Sequence, residues 1–197
     1  MRHKLIVLEG IDGVGKTTLA KALTKRLQDN GIPCLNYQDS RNIHGLLTRE
    51  QKSWAKTAPI EASYLLYLAS TVHKSGLLKE MLEKQWVILD RYIDSVLAHH
   101  VAHGLDIAQT TIVRSLPFMR ADHTFYVHVS ESTRLKRVLL RPETTEEDTE
   151  SAVDESTVLG RKRIWLSGQI RQHISNEGST DESVGEILRI INAGSDA

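Results

Sequence analysis

The chain has 197 residues, 40% of them apolar and 25% charged, the size and balance of one globular domain with a substantial core. Lys plus Arg and Asp plus Glu each number 25, so the formal net charge is zero. That excludes bulk electrostatic binding to a nucleic-acid polymer or a membrane surface, and any anionic ligand must be met by a local cluster.

Cys34 is the only cysteine, which rules out an intrachain disulfide and a cysteine-rich metal centre. No apolar stretch approaches the ~20 residues of a membrane span. A strand that begins by residue 5 leaves no room for a signal peptide, so the expected compartment is the cytoplasm.

The first element is a strand over residues 4–9, where Leu5, Ile6, Val7 and Leu8 form an unbroken apolar run with β-branched members. Gly10, Gly15, Lys16 and Thr17 then fill every fixed position of the phosphate-binding loop G-x-x-x-x-G-K-S/T. Leu19, Ala22, Leu23 and Leu27 recur at helical spacing, which predicts a helix over 16–30 that stops at Asn30 and Gly31. Glycines let successive N–H groups turn inward on phosphate oxygens, and the helix adds the positive end of its dipole. Lys16 is placed to reach the outer phosphates, and the Thr17 hydroxyl to hold Mg²⁺. Ile11, Asp12, Gly13, Val14 and Thr18 complete the cradle. Such a loop implies a nucleoside triphosphate without saying what it is used for.

Residues 33–37 read as a second strand, 38–42 as a polar loop and 43–51 as a helix. Pro59 opens a long helix over 60–82, with Gly76 a candidate break. Trp86, Val87, Ile88, Leu89 and Asp90 make a third strand. A helix over 93–103 follows, with Gly104 as its C′ residue. Further elements are a helix over 110–118, a strand over 124–129 and a helix over 132–140. Residues 141–156 carry Pro142 and seven acidic residues (Glu143, Glu146, Glu147, Asp148, Glu150, Asp154 and Glu155) and are expected to form a mobile surface loop or lid. Residues 158–175 read as helix and then strand, and 184–191 as a closing amphipathic helix. Alternating strands and helices without repeat or linker predict one α/β domain, 1–197, built on a parallel sheet.

A phosphate loop needs a second strand end beside it. Asp90 supplies a carboxylate where the third strand emerges, the edge at which open α/β sheets bind ligands. It is a candidate Mg²⁺ ligand; the alternative is that it caps the following helix. Arg91 beside it is a guanidinium that can neutralise charge on a transferred phosphoryl group.

With these residues in place, the chain resembles the thymidylate kinase family of nucleoside monophosphate kinases. The run from Glu9 to Thr18 matches that family's E-G-x-D-G-x-G-K-S/T-T, and Asp90, Arg91, Tyr92 and Ser95 match its D-R-Y-x-x-S. The resemblance implies a P-loop kinase fold with a five-stranded parallel sheet flanked by helices and a mobile lid. It also implies transfer of the ATP γ-phosphoryl to dTMP with Mg²⁺, and usually a homodimer. Carried over by position, Lys16, Arg91 and Asp12 are the catalytic set, with Asp12 helping to place the acceptor. Thr17 and Asp90 hold the metal, and Ser95 lies near the acceptor nucleotide.

Three departures stand out. After the second strand the family has R-E-P-G-G-T or F-P-x-R-x-T, whereas here only Arg41 offers a phosphate contact. In the long helix the family has L-F-x-A-x-R. Here Tyr67 keeps the stacking ring for the base, but Thr71 stands where the arginine belongs. The lid lacks the arginine of D-R-x-E, and the first loop has Gly13 where some members carry an arginine instead; Arg141, or the pair Arg161 and Arg163, would have to substitute. His99 falls where the family often has a tyrosine near the base.

Losing one charged hydrogen bond to the base costs about 1.5–3 kcal/mol, enough to change base preference. A modified pyrimidine nucleotide, a nucleoside or another small metabolite is therefore a rival acceptor, with Asp39 or Asp94 as base for an unphosphorylated one. A non-catalytic ATP-binding regulator is the remaining rival. His99 and His103 lie one turn apart, but no carboxylate is spaced to complete a metal site with them. Cys34 and His128 read as core residues, and Trp54, Trp86 and Trp165 as core or interface residues.

Overall fold

The computed structural model describes residues 3–37, 47–142 and 144–193. Five parallel strands are ordered β2-β3-β1-β4-β5. These are β1 Leu5–Glu9, β2 Cys34–Tyr37, β3 Trp86–Asp90, β4 His123–His128 and β5 Gln172–Ser175. The central strand, β1, pairs β3 on one side, with Leu8 opposite Asp90, and β4 on the other, with Glu9 opposite Tyr126.

The apolar run in β1 is continuous because both of its faces are covered. Ile6 and Leu8 join Leu19, Leu23, Phe125, Ile174 and Ile187 in one core layer. Leu5 and Val7 join Leu78, Val87, Leu89 and Tyr37 in the other. The first layer is roofed by α1 (Lys16–Asp29) and α8 (Thr180–Ala193), and the second by α3 (Ile60–Leu82). The second face is flanked further by α4 (Ile93–Ala102). Against α4 packs α7 (Val158–Gln169).

Several expected boundaries move. The helix expected over 43–51 is α2, Arg49–Thr57. Its start is set by a capping box: Gln51 N donates to the Thr48 hydroxyl at 3.2 Å, and Thr48 N to the Gln51 side chain at 2.8 Å. Residues 43–46 lie outside the described residues, as does Arg41. Gly76 does not interrupt α3, because its face is open and the helix bonds run through it. The helix expected over 110–118 is a 3₁₀ helix, Ile107–Ser115, opened by Ala108 N donating to the Asp106 carboxylate at 2.8 Å. The closing helix begins a turn early, at Thr180, because Ser179 and Glu182 bond each other's backbone. Trp54 is 51% exposed, so it is no core residue, whereas Trp86 is buried.

The segment read as a loop carries a turn of helix, α6 (Glu146–Thr149), after α5 (Glu131–Leu139). Arg134 on α5 accounts for it. Its guanidinium is 1% exposed and donates to the carbonyls of Asp148 at 2.8 Å and Glu150 at 2.5 Å, while Glu131 balances its charge. The acidic segment is therefore pinned from below by one buried cation.

Candidate active site

The phosphate loop runs from the end of β1 into α1. Gly10 adopts φ 148°, and a side chain there would meet the Val127 carbonyl at 2.5 Å. Gly13 adopts φ 90°, and a Cβ would meet Val138 at 2.7 Å and Arg134 at 2.8 Å. Packing of α5 over the loop thus leaves no room for a side chain at position 13. No side chain caps α1, and its first turn holds no carboxylate, so its leading N–H groups are left for an anion. The loop is braced from outside by Asn176, just after β5, whose amide donates to the Val14 carbonyl at 2.8 Å. Arg137 on α5 bonds the same carbonyl and the Asn176 carbonyl.

Lys16 is buried and donates to the Ile11 carbonyl across the loop at 2.8 Å. Burial, and then the charge of Arg91, push its ammonium down to about 8. The Thr17 hydroxyl donates to Asp90 Oδ2 at 2.6 Å, while Asp90 Oδ1 is buried without a hydrogen-bond partner. One hydroxyl and one carboxylate with an unused buried oxygen are a donor set that suits Mg²⁺. Asp90 does not cap α4, as the sequence left open. Glu9 does, reaching from the end of β1 to accept from Tyr92 N at 2.7 Å, Ser95 N at 3.2 Å and the Ser95 hydroxyl.

Arg91 sits between these groups. Among the described residues it is the one non-glycine with positive φ, 70°. Its amide donates to the Leu8 carbonyl, and its guanidinium bonds both Asp12 oxygens at 2.8 Å and the Ser95 hydroxyl at 3.2 Å. Burial alone would raise the Asp12 carboxyl, but Arg91 and Lys16 outweigh it and hold it well below the usual carboxylate range. A strained backbone fixed at a charged junction is a sign of function.

Two cavities meet at this junction. One, of about 400 Å³, is lined by Gly13, Gly15, Lys16, Thr17, Thr18 and Arg141. The other, of about 440 Å³, is lined by Tyr67, Thr71, Lys74, Ser95, His99 and Lys162 among others. Both are bounded by Asp12, Asp90 and Arg91. Arg141 therefore stands beside the phosphate loop. Arg161 and Arg163 are engaged elsewhere, donating to the carbonyls of Ala102 and Ser156 and of Ala152 respectively. Thr71 faces the second cavity, but its hydroxyl donates back to the Tyr67 carbonyl at 2.8 Å. Burial, and then Lys162, push His99 down to about 3, so it stands there as neutral imidazole. Asp94 lines neither cavity, and Asp39 lies outside the described residues. No group of three or more potential metal ligands from His, Cys, Asp and Glu occurs among the described residues, around His99 and His103 or elsewhere.

Sequence reasoning missed Glu9 as the cap of α4, Asn176 and Arg137 as braces, and Lys74 in the second cavity. Lys74 had a signal, since Tyr67, Thr71 and Lys74 share one helical face. The others bridge elements far apart in the chain.

The family model described as thymidylate kinase matches residues 8–159. A probable thymidylate kinase of Methanocaldococcus jannaschii is 33% identical over 138 residues, 69% of this chain and 70% of that protein. A probable thymidylate kinase of Pyrococcus horikoshii is 34% identical over 156 residues, 75% and 76% of the two chains. The thymidylate kinase of Leptospira borgpetersenii is 29% identical over 197 residues, 94% of this chain and 91% of that one. Among solved structures, the thymidylate kinase of Ehrlichia chaffeensis superposes with a TM-score of 0.64 at 18% identity, over 97% of this chain and all of that one, a likeness of fold. The loop, the junction arginine and the matched length agree, and the chain belongs to the thymidylate kinase family.

Proposed function

We propose that this protein transfers the γ-phosphoryl group of ATP to dTMP, giving dTDP and ADP. The observation that carries the reading is the pair of cavities joined through Arg91, Asp12 and Asp90. The smaller one takes the triphosphate, held by the loop amides, Lys16 and Arg141. The larger one takes the acceptor, its base against Tyr67 and His99 and beside Thr71, its phosphate toward Arg91 and Ser95. Arg41 is assigned to the acceptor phosphate from the sequence alone.

An oxygen of the acceptor phosphate attacks the γ-phosphorus, and the bond to the β–γ bridging oxygen breaks, releasing ADP. The attacking oxygen is already anionic, so no strong base is needed and catalysis is mostly positioning and charge neutralisation. Mg²⁺, held by Thr17 and Asp90, would supply further neutralisation of the triphosphate. Arg91 reaches both cavities, and Asp12 keeps it aimed. Residues 141–156 serve as a lid over this single domain. A homodimer is assigned from the family resemblance alone. No helix of the described residues is long and apolar enough to cross a membrane, and we assign the enzyme to the cytoplasm, where ATP is at hand.

Thr71 in place of a guanidinium favours one second reading, a modified pyrimidine monophosphate as acceptor. A coupled ADP-release assay over a panel of nucleoside monophosphates tests both. Turnover with dTMP, abolished by Lys16→Ala, is the expected result; turnover confined to another monophosphate selects the second reading, and none on any rejects both.

A further inference from the structure

We infer that Lys162 is a phosphate contact of the acceptor cavity, held in the free enzyme by Glu147 and handed to the acceptor when it binds. The inference rests on the acceptor assignment of the larger cavity and goes beyond it.

The three successive cations Arg161, Lys162 and Arg163 on α7 have different fates. The arginines on either side are tied to backbone carbonyls. Lys162 alone of the three lines the acceptor cavity, a lining it shares with Arg91, and both cations lie near enough to His99 to help keep that ring neutral. Its side chain is 15% exposed and paired with Glu147 of α6. That partner is the more exposed of the two, at 33%, and belongs to the acidic segment that Arg134 pins at Asp148 and Glu150.

The pair is asymmetric. Glu147 can turn toward water at small cost, whereas an ammonium enclosed beside a cavity must have an anion. In the free enzyme Glu147 is that anion. A dianionic phosphate entering between Arg91 and Lys162 competes for the same ammonium with twice the charge. The exchange ties occupancy of the acceptor cavity to α6.

Four proteins test the inference: the unaltered enzyme, Lys162→Met, Glu147→Gln and the double variant. With dTMP and ATP varied in turn, Lys162→Met should raise the KM for dTMP by about 10-fold to about 100-fold and leave that for ATP within about twofold. Glu147→Gln should lower the KM for dTMP, and the double variant should match Lys162→Met. The inference is overturned if Glu147→Gln raises the KM for dTMP as Lys162→Met does, since the pair is then only a structural tie, or if the effect falls on ATP. Should Lys162→Met not fold, the direction of the Glu147→Gln effect decides. Inorganic phosphate is titrated by phosphorus NMR with the cradle filled by a non-hydrolysable ATP analogue and Mg²⁺. Its affinity should fall in Lys162→Met and rise in Glu147→Gln. An unaltered enzyme that phosphorylates no monophosphate refutes the parent reading, and the phosphate titration then judges Lys162 by itself.

Discussion

Replacement of Glu9 isolates the device that aims the junction arginine. Glu9 is fully buried and accepts from Tyr92 N, Ser95 N and the Ser95 hydroxyl. Glu9→Ala leaves two backbone donors at the start of α4 without an acceptor, at about 1–3 kcal/mol each, so the loss should be about 2–6 kcal/mol. Glu9→Gln keeps a carbonyl oxygen for the Tyr92 amide and an amide that can donate to the Ser95 hydroxyl, and should lose only about 1–2 kcal/mol. Denaturant unfolding, with equal slopes required for comparison, reads both values. Because Arg91 lies between the capped amide of Tyr92 and the Leu8 carbonyl, kcat should fall more than the affinity for ATP changes. A Glu9→Ala protein within about 1 kcal/mol of the unaltered one, or one with normal kcat, would refute the argument that this cap holds the junction.

Two further outcomes follow from the same geometry. Arg91→Gly relieves a left-handed backbone worth about 1–2 kcal/mol and gives up a half-exposed ion pair, so unfolding should change by no more than about 1 kcal/mol while kcat falls by about 100-fold or more. A larger loss of stability would mean that the strain argument is wrong. The Lys16 ammonium, pushed down to about 8 by burial and Arg91, is charged below that pH and neutral above it. Affinity for MgATP should therefore weaken as pH rises through about 8, and binding near that pH should take up protons because the bound phosphates favour the charged form. Calorimetry in buffers of different ionisation enthalpy measures the uptake, and none at pH 8.5, about half a unit above that value, would sink the assignment.

Much of this was legible from local chemistry. The β1 run, the loop glycines, Lys16 and Thr17 announce themselves because a strand, a phosphate cradle and a helix start are each specified by neighbours in the chain. Asp90 and Arg91 were legible for the same reason, as a strand end followed by a guanidinium. Boundaries slipped where capping decided them: Thr48 and Gln51 moved one helix start, and Ser179 and Glu182 another. The acidic segment read as a loop because no local pattern signals that Arg134, from another helix, will hold its carbonyls.

The sequence by itself determined the α/β class, the phosphate chemistry and the family, since each depends on residue types at short fixed spacings. Only the tertiary structure decided that Glu9 and not Asp90 caps α4, that Arg141 and not Arg161 or Arg163 stands beside the phosphate loop, and that Lys162 lines the second cavity. Those choices depend on which side chains meet across strand and helix contacts far apart in the chain, and a buried charge such as Glu9 must settle on whichever partner the packing brings within reach.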